Sequence, residues 1–167
     1  DGLMALGSDD FDLGAFAGTV DAAKRVIADG LGIAMIQGFP VERWDRLTSA
    51  IVYWGFGRRL GTALPNNPEG EMFGHIADMG KDYDNPKHRG YQTSAEMLYH
   101  ADHGDILSLL SLTKAKSGGK TKVTSSLALH NAMLARRPDY LDALTQSYTY
   151  SQHGEEQPGQ DPWFESP

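Results

Sequence analysis

The apolar stretches of this chain are short, and each is bounded by turn-forming residues. That limits the architectures open to it more than any other feature. Leu31-Gly-Ile-Ala-Met-Ile-Gln-Gly-Phe-Pro40 stops at a Gly/Pro turn, and the apolar run from Asp105 to Lys114 is followed by a Gly-containing turn over Lys116 to Lys120. Runs of this length suit buried strands and are far too short to cross a bilayer. Three more segments read as strands: Met72 to Ala77, the β-branched Thr121 to Ser125, and the alternating Ser147 to Gln152.

Helical periodicity fills the intervals. Thr19 is placed to cap a helix with Val20, Ala23, Val26 and Ile27 on one face, and Gly30 ends it. A second helix, over roughly residues 42–59, carries Trp44, Leu47, Ile51, Trp54 and Arg58 and ends at Leu60-Gly61. Ser126 caps a third that runs to about Arg136, and Pro138 opens a fourth through about Thr145. Turn formers dominate from Pro65 to Gly90, including Asn66-Asn67-Pro68-Glu69-Gly70 and Asp84-Asn85-Pro86, and mark a functional loop region. The last stretch, Gln157 to Pro167, shows no closing helix or strand, so the chain reads as interrupted. The pattern is mixed α/β.

The 167 residues suit one domain, and 40% hydrophobic content with seven Tyr, six Phe and three Trp suffices for a core. A formal charge of -7 argues against nucleic acid, which calls for a basic face. With no cysteine, thiol nucleophiles and zinc-thiolate sites are excluded, and any metal must be held by His and carboxylate. No basic then apolar leader opens the chain, so the expectation is a soluble, unexported, cytoplasmic protein without membrane contact.

His100-Ala101-Asp102 is the sharpest chemical feature. In an extended segment residues i and i+2 point to the same side, so imidazole and carboxylate at this spacing can reach one metal. Two histidines and one carboxylate on one face of an octahedron leave three positions open, which suits Fe(II). His-x-Asp alone is a common pattern, and His103-Gly104-Asp105 repeats it at once.

Wider context separates the two. Arg89-Gly90-Tyr91-Gln92-Thr93, Leu98-Tyr99-His100-Ala101-Asp102, the Leu-rich run after it, Gly118-Gly119-Lys120-Thr121, Ser125-Ser126 and His130-Asn131 follow in an order that resembles the TauD/TfdA (clavaminate synthase-like) family of Fe(II)- and 2-oxoglutarate-dependent dioxygenases. Gly38-Phe39-Pro40, Leu60-Gly61 and Asn67 to Gly70 resemble further landmarks of that family.

The resemblance runs from about residue 30 to the end. It implies a double-stranded β-helix (jelly roll) with flanking helices, of which residues 1–167 would be the N-terminal part. It selects His100 and Asp102 as ligands of Fe(II), and implies that the Thr121 hydroxyl contacts the carboxylate of 2-oxoglutarate. Asn67, Gln92 and Thr93 fall where such enzymes form the mouth for a small-molecule substrate. An Asp at 102 argues against halogenation, because halogenating relatives lack that carboxylate.

The family's second iron-binding His and its 2-oxoglutarate-binding Arg come from farther downstream than Pro167. A homo-oligomer or a second chain is therefore expected to complete the barrel, and the competing reading is a non-catalytic jelly-roll binding protein with a relic metal site. His75 and His153 read as pocket-lining, His130 as a polar helix residue, His88 as solvent-facing, and Tyr99 as packing on the face opposite His100.

Overall fold

Helix α2, Arg46–Leu60, starts where the Asp45 carboxylate accepts the Thr48 amide proton at 2.7 Å. This satisfies one of the donors that a helix start leaves open. The same hydrogen bond holds the Asp45 carboxyl below its ordinary 3.8. The computed structural model that shows this describes residues 2–67, 70–85, 88–102, 104–152 and 159–167. Two compact units emerge: Asp1–Ala63 with Ile106–Arg136, and Leu64–Asp105 with Arg137–Pro167.

In the first unit α2 packs with α1, Ala17–Asp29, around Val20, Ala23, Trp54 and Phe56. The Trp54 indole N–H donates to the Leu6 carbonyl at 3.0 Å and so ties down the 3-10 turns that open the chain. Phe16 meets Phe39 edge-on at 5.3 Å, and Phe39 meets Trp44 at 6.2 Å and Phe56 at 6.3 Å. Aromatic contacts therefore anchor the end of the 31–40 segment.

Helix α3, Ser126–Arg136, is capped by Ser125 and not Ser126, since the Ser125 hydroxyl accepts the Ala128 amide proton at 3.3 Å. Thr19 likewise lies inside α1, which Phe16 precedes. The buried residues of α2 are Ser49, Trp54, Gly55 and Phe56, so that of the set at helical spacing Trp54 is buried whereas Leu47 is 65% exposed. Burial pushes the Tyr53 hydroxyl above its ordinary 10.0, and a hydrogen bond with Ser108 opposes the rise while joining the 106–112 run to α2.

In the second unit Pro138 occupies the first turn of α4, Pro138–Leu144, as its fixed φ favours. Strand β1, Tyr148–Ser151, pairs antiparallel with β2, Trp163–Ser166, and Tyr150 stacks on its partner Phe164 at 5.5 Å. The Tyr148 hydroxyl donates to the Ala143 carbonyl at 2.7 Å, which fastens the hairpin to α4.

The strand at 147–152 is thus present, and the chain end expected to lack one supplies its partner. Trp163 and Phe164 favour an extended pair, a preference that the flanking prolines mask in the sequence. Four other expectations are corrected: residues 31–40, 72–77, 105–114 and 121–125 form no strand ladder. Alternation dictates which side a residue takes, but a strand exists only when a second segment accepts its N–H and C=O groups.

Among the described residues one two-stranded sheet is formed, so the fold seen is partial mixed α/β and the jelly roll is not visible in it. No helix among them is long and apolar enough to cross a membrane.

Two glycines of α2 make opposite predictions. A Cβ at Gly55 would lie 2.6 Å from the Phe11 ring, whereas one at Gly57 would meet nothing within 4 Å. Gly55→Ala should lower stability by about 1–3 kcal/mol through overpacking. Gly57→Ala should raise it by about 0.5–1 kcal/mol through helix propensity. Denaturant titration of both checks the contrast.

The Asp45 cap gives a pH prediction. Its folded value is lowered, so its contribution is present above 3.8 and is lost as pH falls through the lowered value. In Asp45→Asn, thermal midpoints followed into that acid range should fall less steeply than in the parent.

Candidate metal centre

The approach to His100 is organised by the 3-10 turn Gly90–Gln92. The Gly90 carbonyl accepts from the Thr93 amide at 3.1 Å and from the Thr93 hydroxyl at 2.9 Å. The Tyr91 carbonyl accepts from the Ala77 amide at 3.2 Å and the Gln92 carbonyl from the Met79 amide at 2.9 Å, so the turn is bonded to the earlier part of the loop.

At His100 the ring Nδ1 lies 2.7 Å from the Leu98 carbonyl oxygen. A carbonyl has no proton to give, so Nδ1 carries the hydrogen, and in the neutral ring Nε2 keeps its lone pair. That nitrogen lies 3.8 Å from Asp102 Oδ1, with both side chains 49% exposed. The same-side geometry expected of i and i+2 is therefore realised, although the segment is not a strand.

Bonds of about 2.1 Å set neighbouring octahedral donors about 3.0 Å apart and opposite ones about 4.2 Å apart, so a pair 3.8 Å apart would close by under about 1 Å to bind one ion on a single face. Neutral imidazole and carboxylate are donors that suit Fe(II). The residues present fit two ligands of such a site. Among the described residues no group of three His, Asp or Glu could hold a metal ion.

The other histidines divide as follows. His103, of the second His-x-Asp, and His153 lie outside the described residues. His88 is half-buried and not solvent-facing, with Nδ1 3.0 Å from the Asp82 carbonyl oxygen. His130, on α3, lies 3.4 Å from the Asn131 side-chain oxygen, and His75 is exposed in the loop. Tyr99, expected to pack, is exposed.

Asn67, Gln92 and Thr93 are half-buried, and each has its polar groups engaged locally. The Asn67 amide donates to Glu71 Oε2 at 2.6 Å and accepts from the Glu71 N–H at 3.0 Å. Gln92 Oε1 accepts from the Arg89 amide at 3.4 Å, and the Thr93 hydroxyl also accepts from the Ala95 amide at 3.2 Å. Thr121 is exposed and belongs to the unit that contains Ile106–Arg136. It follows a turn in which Gly118 and Gly119 have φ of 72° and 65°. The Leu98 carbonyl is what sequence reasoning missed, because no residue type marks a backbone acceptor.

Compared with known proteins, residues 2–167 match the family described as taurine catabolism dioxygenase TauD, TfdA family. The chain is 35% identical to FR-33289 synthase of Streptomyces rubellomurinus (strain ATCC 31215) over 162 residues, covering 92% of this chain and 48% of that protein. It is 29% identical to the taurine hydroxylase-like protein SAT17 of Stachybotrys chartarum (strain CBS 109288 / IBT 7711) over 137 residues, covering 76% of this chain and 35% of that protein. The chain thus spans about half the length of these relatives or less. No solved structure matches it.

The ring assignment is directly testable. In the metal-free protein near neutral pH, nitrogen-15 NMR should show His100 Nδ1 protonated and Nε2 unprotonated. The reverse pattern would contradict the Leu98 contact.

Proposed function

The chain belongs to the taurine catabolism dioxygenase TauD, TfdA family, and on that premise we propose that His100 and Asp102 are two iron ligands of an Fe(II)- and 2-oxoglutarate-dependent dioxygenase. The observation that carries the reading is the convergence of His100 Nε2 and Asp102 Oδ1, 3.8 Å apart, with the imidazole tautomer fixed for coordination.

Bound there, Fe(II) would couple the oxidation of 2-oxoglutarate by O2 to succinate and CO2 with insertion of the second oxygen atom into a substrate C–H bond. The chain's own part is to bind and orient. Asp102 supplies one negative charge and His100 none, so a divalent ion would keep a net positive charge that attracts an anionic cosubstrate. Thr121, by the likeness of Gly118-Gly119-Lys120-Thr121 to the family's turn, donates its hydroxyl to a 2-oxoglutarate carboxylate. Asn67, Gln92 and Thr93 shape the loop that frames a small-molecule substrate.

Hydroxylation is the outcome we assign, supported by a relative named as taurine hydroxylase-like and by the carboxylate at 102. The remaining His ligand and the 2-oxoglutarate-binding Arg would come from polypeptide other than residues 1–167. The same polypeptide, or a second copy, would pair with the unladdered segments to complete a jelly roll.

Anaerobic Fe(II) titration of the intact enzyme tests the ligand assignment. His100→Ala and Asp102→Ala should abolish binding, and His103→Ala should leave it nearly intact. Iron retained by the His100 variant and lost by the His103 variant would move the site to the second motif. Thr121→Val should weaken 2-oxoglutarate binding by about 1–3 kcal/mol with iron affinity unchanged, as for a hydrogen bond to a charged group. Succinate release by the parent enzyme completes the test.

A further inference from the structure

The segment that carries His100 has little to hold it. His100 and Asp102 are half exposed, neither lies in a helix or a strand, and Leu98 and Tyr99 are both exposed. One side chain of this segment does reach back. Met97 lies against the bare backbone of Gly90, so that a Cβ built there would sit 3.2 Å from the Met97 sulfur and 3.3 Å from its Cγ and Cε. Met97 is 42% exposed, so more than half of it is covered. Gly90 in turn belongs to the 3-10 turn that Ala77, Met79 and Thr93 fix by hydrogen bonds.

We infer that Met97, seated on Gly90, is a positioning residue for the iron site. It anchors the chain three residues before His100 to a turn that is itself hydrogen-bonded to the earlier part of the loop. From that anchor the backbone runs directly to Leu98, whose carbonyl orients the imidazole. The inference rests on the iron-site reading for its purpose, but the anchoring itself is a property of the metal-free protein. Apolar packing of this volume suits the task, and Met and Leu interchange in such packing at small cost. Groups that orient metal ligands change metal affinity by about 10–100-fold when lost.

The test uses Met97→Ala and Met97→Leu in the intact protein. Without metal, the His100 Nδ1 proton should exchange with water markedly faster in Met97→Ala than in the parent, and at the parent rate in Met97→Leu, which restores the volume. With Fe(II) added anaerobically, Met97→Ala should bind at least about tenfold more weakly, and Met97→Leu like the parent. The thermal midpoint of Met97→Ala should barely move, since the residue is half exposed; a purely structural role would shift the midpoint and leave exchange at His100 unchanged.

Parent-like proton exchange in Met97→Ala would overturn the inference, as would a Met97→Leu variant as impaired as Met97→Ala. If the parent protein itself takes up no Fe(II), the iron-site reading fails, and the exchange comparison still decides whether Met97 holds His100. If the parent binds iron and Met97→Ala binds it equally well, the positioning role fails and the iron site stands.

Discussion

A carbonyl oxygen has lone pairs and no proton, and the candidate site depends on that asymmetry. Leu98 offers such an oxygen 2.7 Å from His100 Nδ1, which settles both the ring's orientation and the position of its hydrogen. The ring then turns its second nitrogen toward Asp102 without help from any buried side chain. Histidine ligands in metal sites commonly donate their other ring N–H to an acceptor. Here that acceptor comes from the backbone two residues earlier, so His100 and its orienting group are parts of one short segment.

How much of this was legible from residue order differs by element. Helix α4 was read almost to the residue, because proline fixes φ and sets the first turn. The third helix was found with its cap displaced by one position, since Ser125 and Ser126 can both cap and only the path of the backbone selects between them. For α1, Thr19 looked like a start signal but lies inside the helix, where packing of Val20 and Ala23 outweighs the capping preference. In α2 the helical period was right: Trp54 of the apolar set is buried, while Leu47 of the same set stays 65% exposed, and Phe11 packs against the bare backbone of Gly55.

Of the two strands that pair, β1 was legible in its alternation and β2 was not. Residues 148–151 pair with 163–166, a short distance along the chain. For 31–40 and 105–114 the apolar pattern describes a surface that wants covering without saying by what. The approach of His100 to Asp102 was legible because that geometry follows from i, i+2 spacing. The local hydrogen bonds of Asn67, Gln92 and Thr93 were not, because a polar side chain does not announce which neighbour it will bond. In the structure all three close loops.

The unladdered segments are also where the exposed apolar surface concentrates. Met35 is 83% exposed, and Leu31, Leu107, Leu109 and Val123 lie open as well. Over 107–110 exposed Leu107 and Leu109 alternate with half-buried Ser108 and Leu110, the period of a strand over four residues, although no strand among the described residues faces it. Leaving such side chains in water forgoes about 1.5–3 kcal/mol for each one that could be buried, and extended backbone without a partner is a template for another strand. Both costs fall when a second layer is added, and sandwiched sheets are how a jelly roll removes them. A chain in this family that covers 48% and 35% of two longer relatives would show this pattern if its strands were completed by polypeptide beyond those 167 residues. The helices form without such a partner because their hydrogen bonds are internal, although α3 and α4 bury no residue and leave Leu127, Leu129, Leu134 and Leu144 open to the same covering.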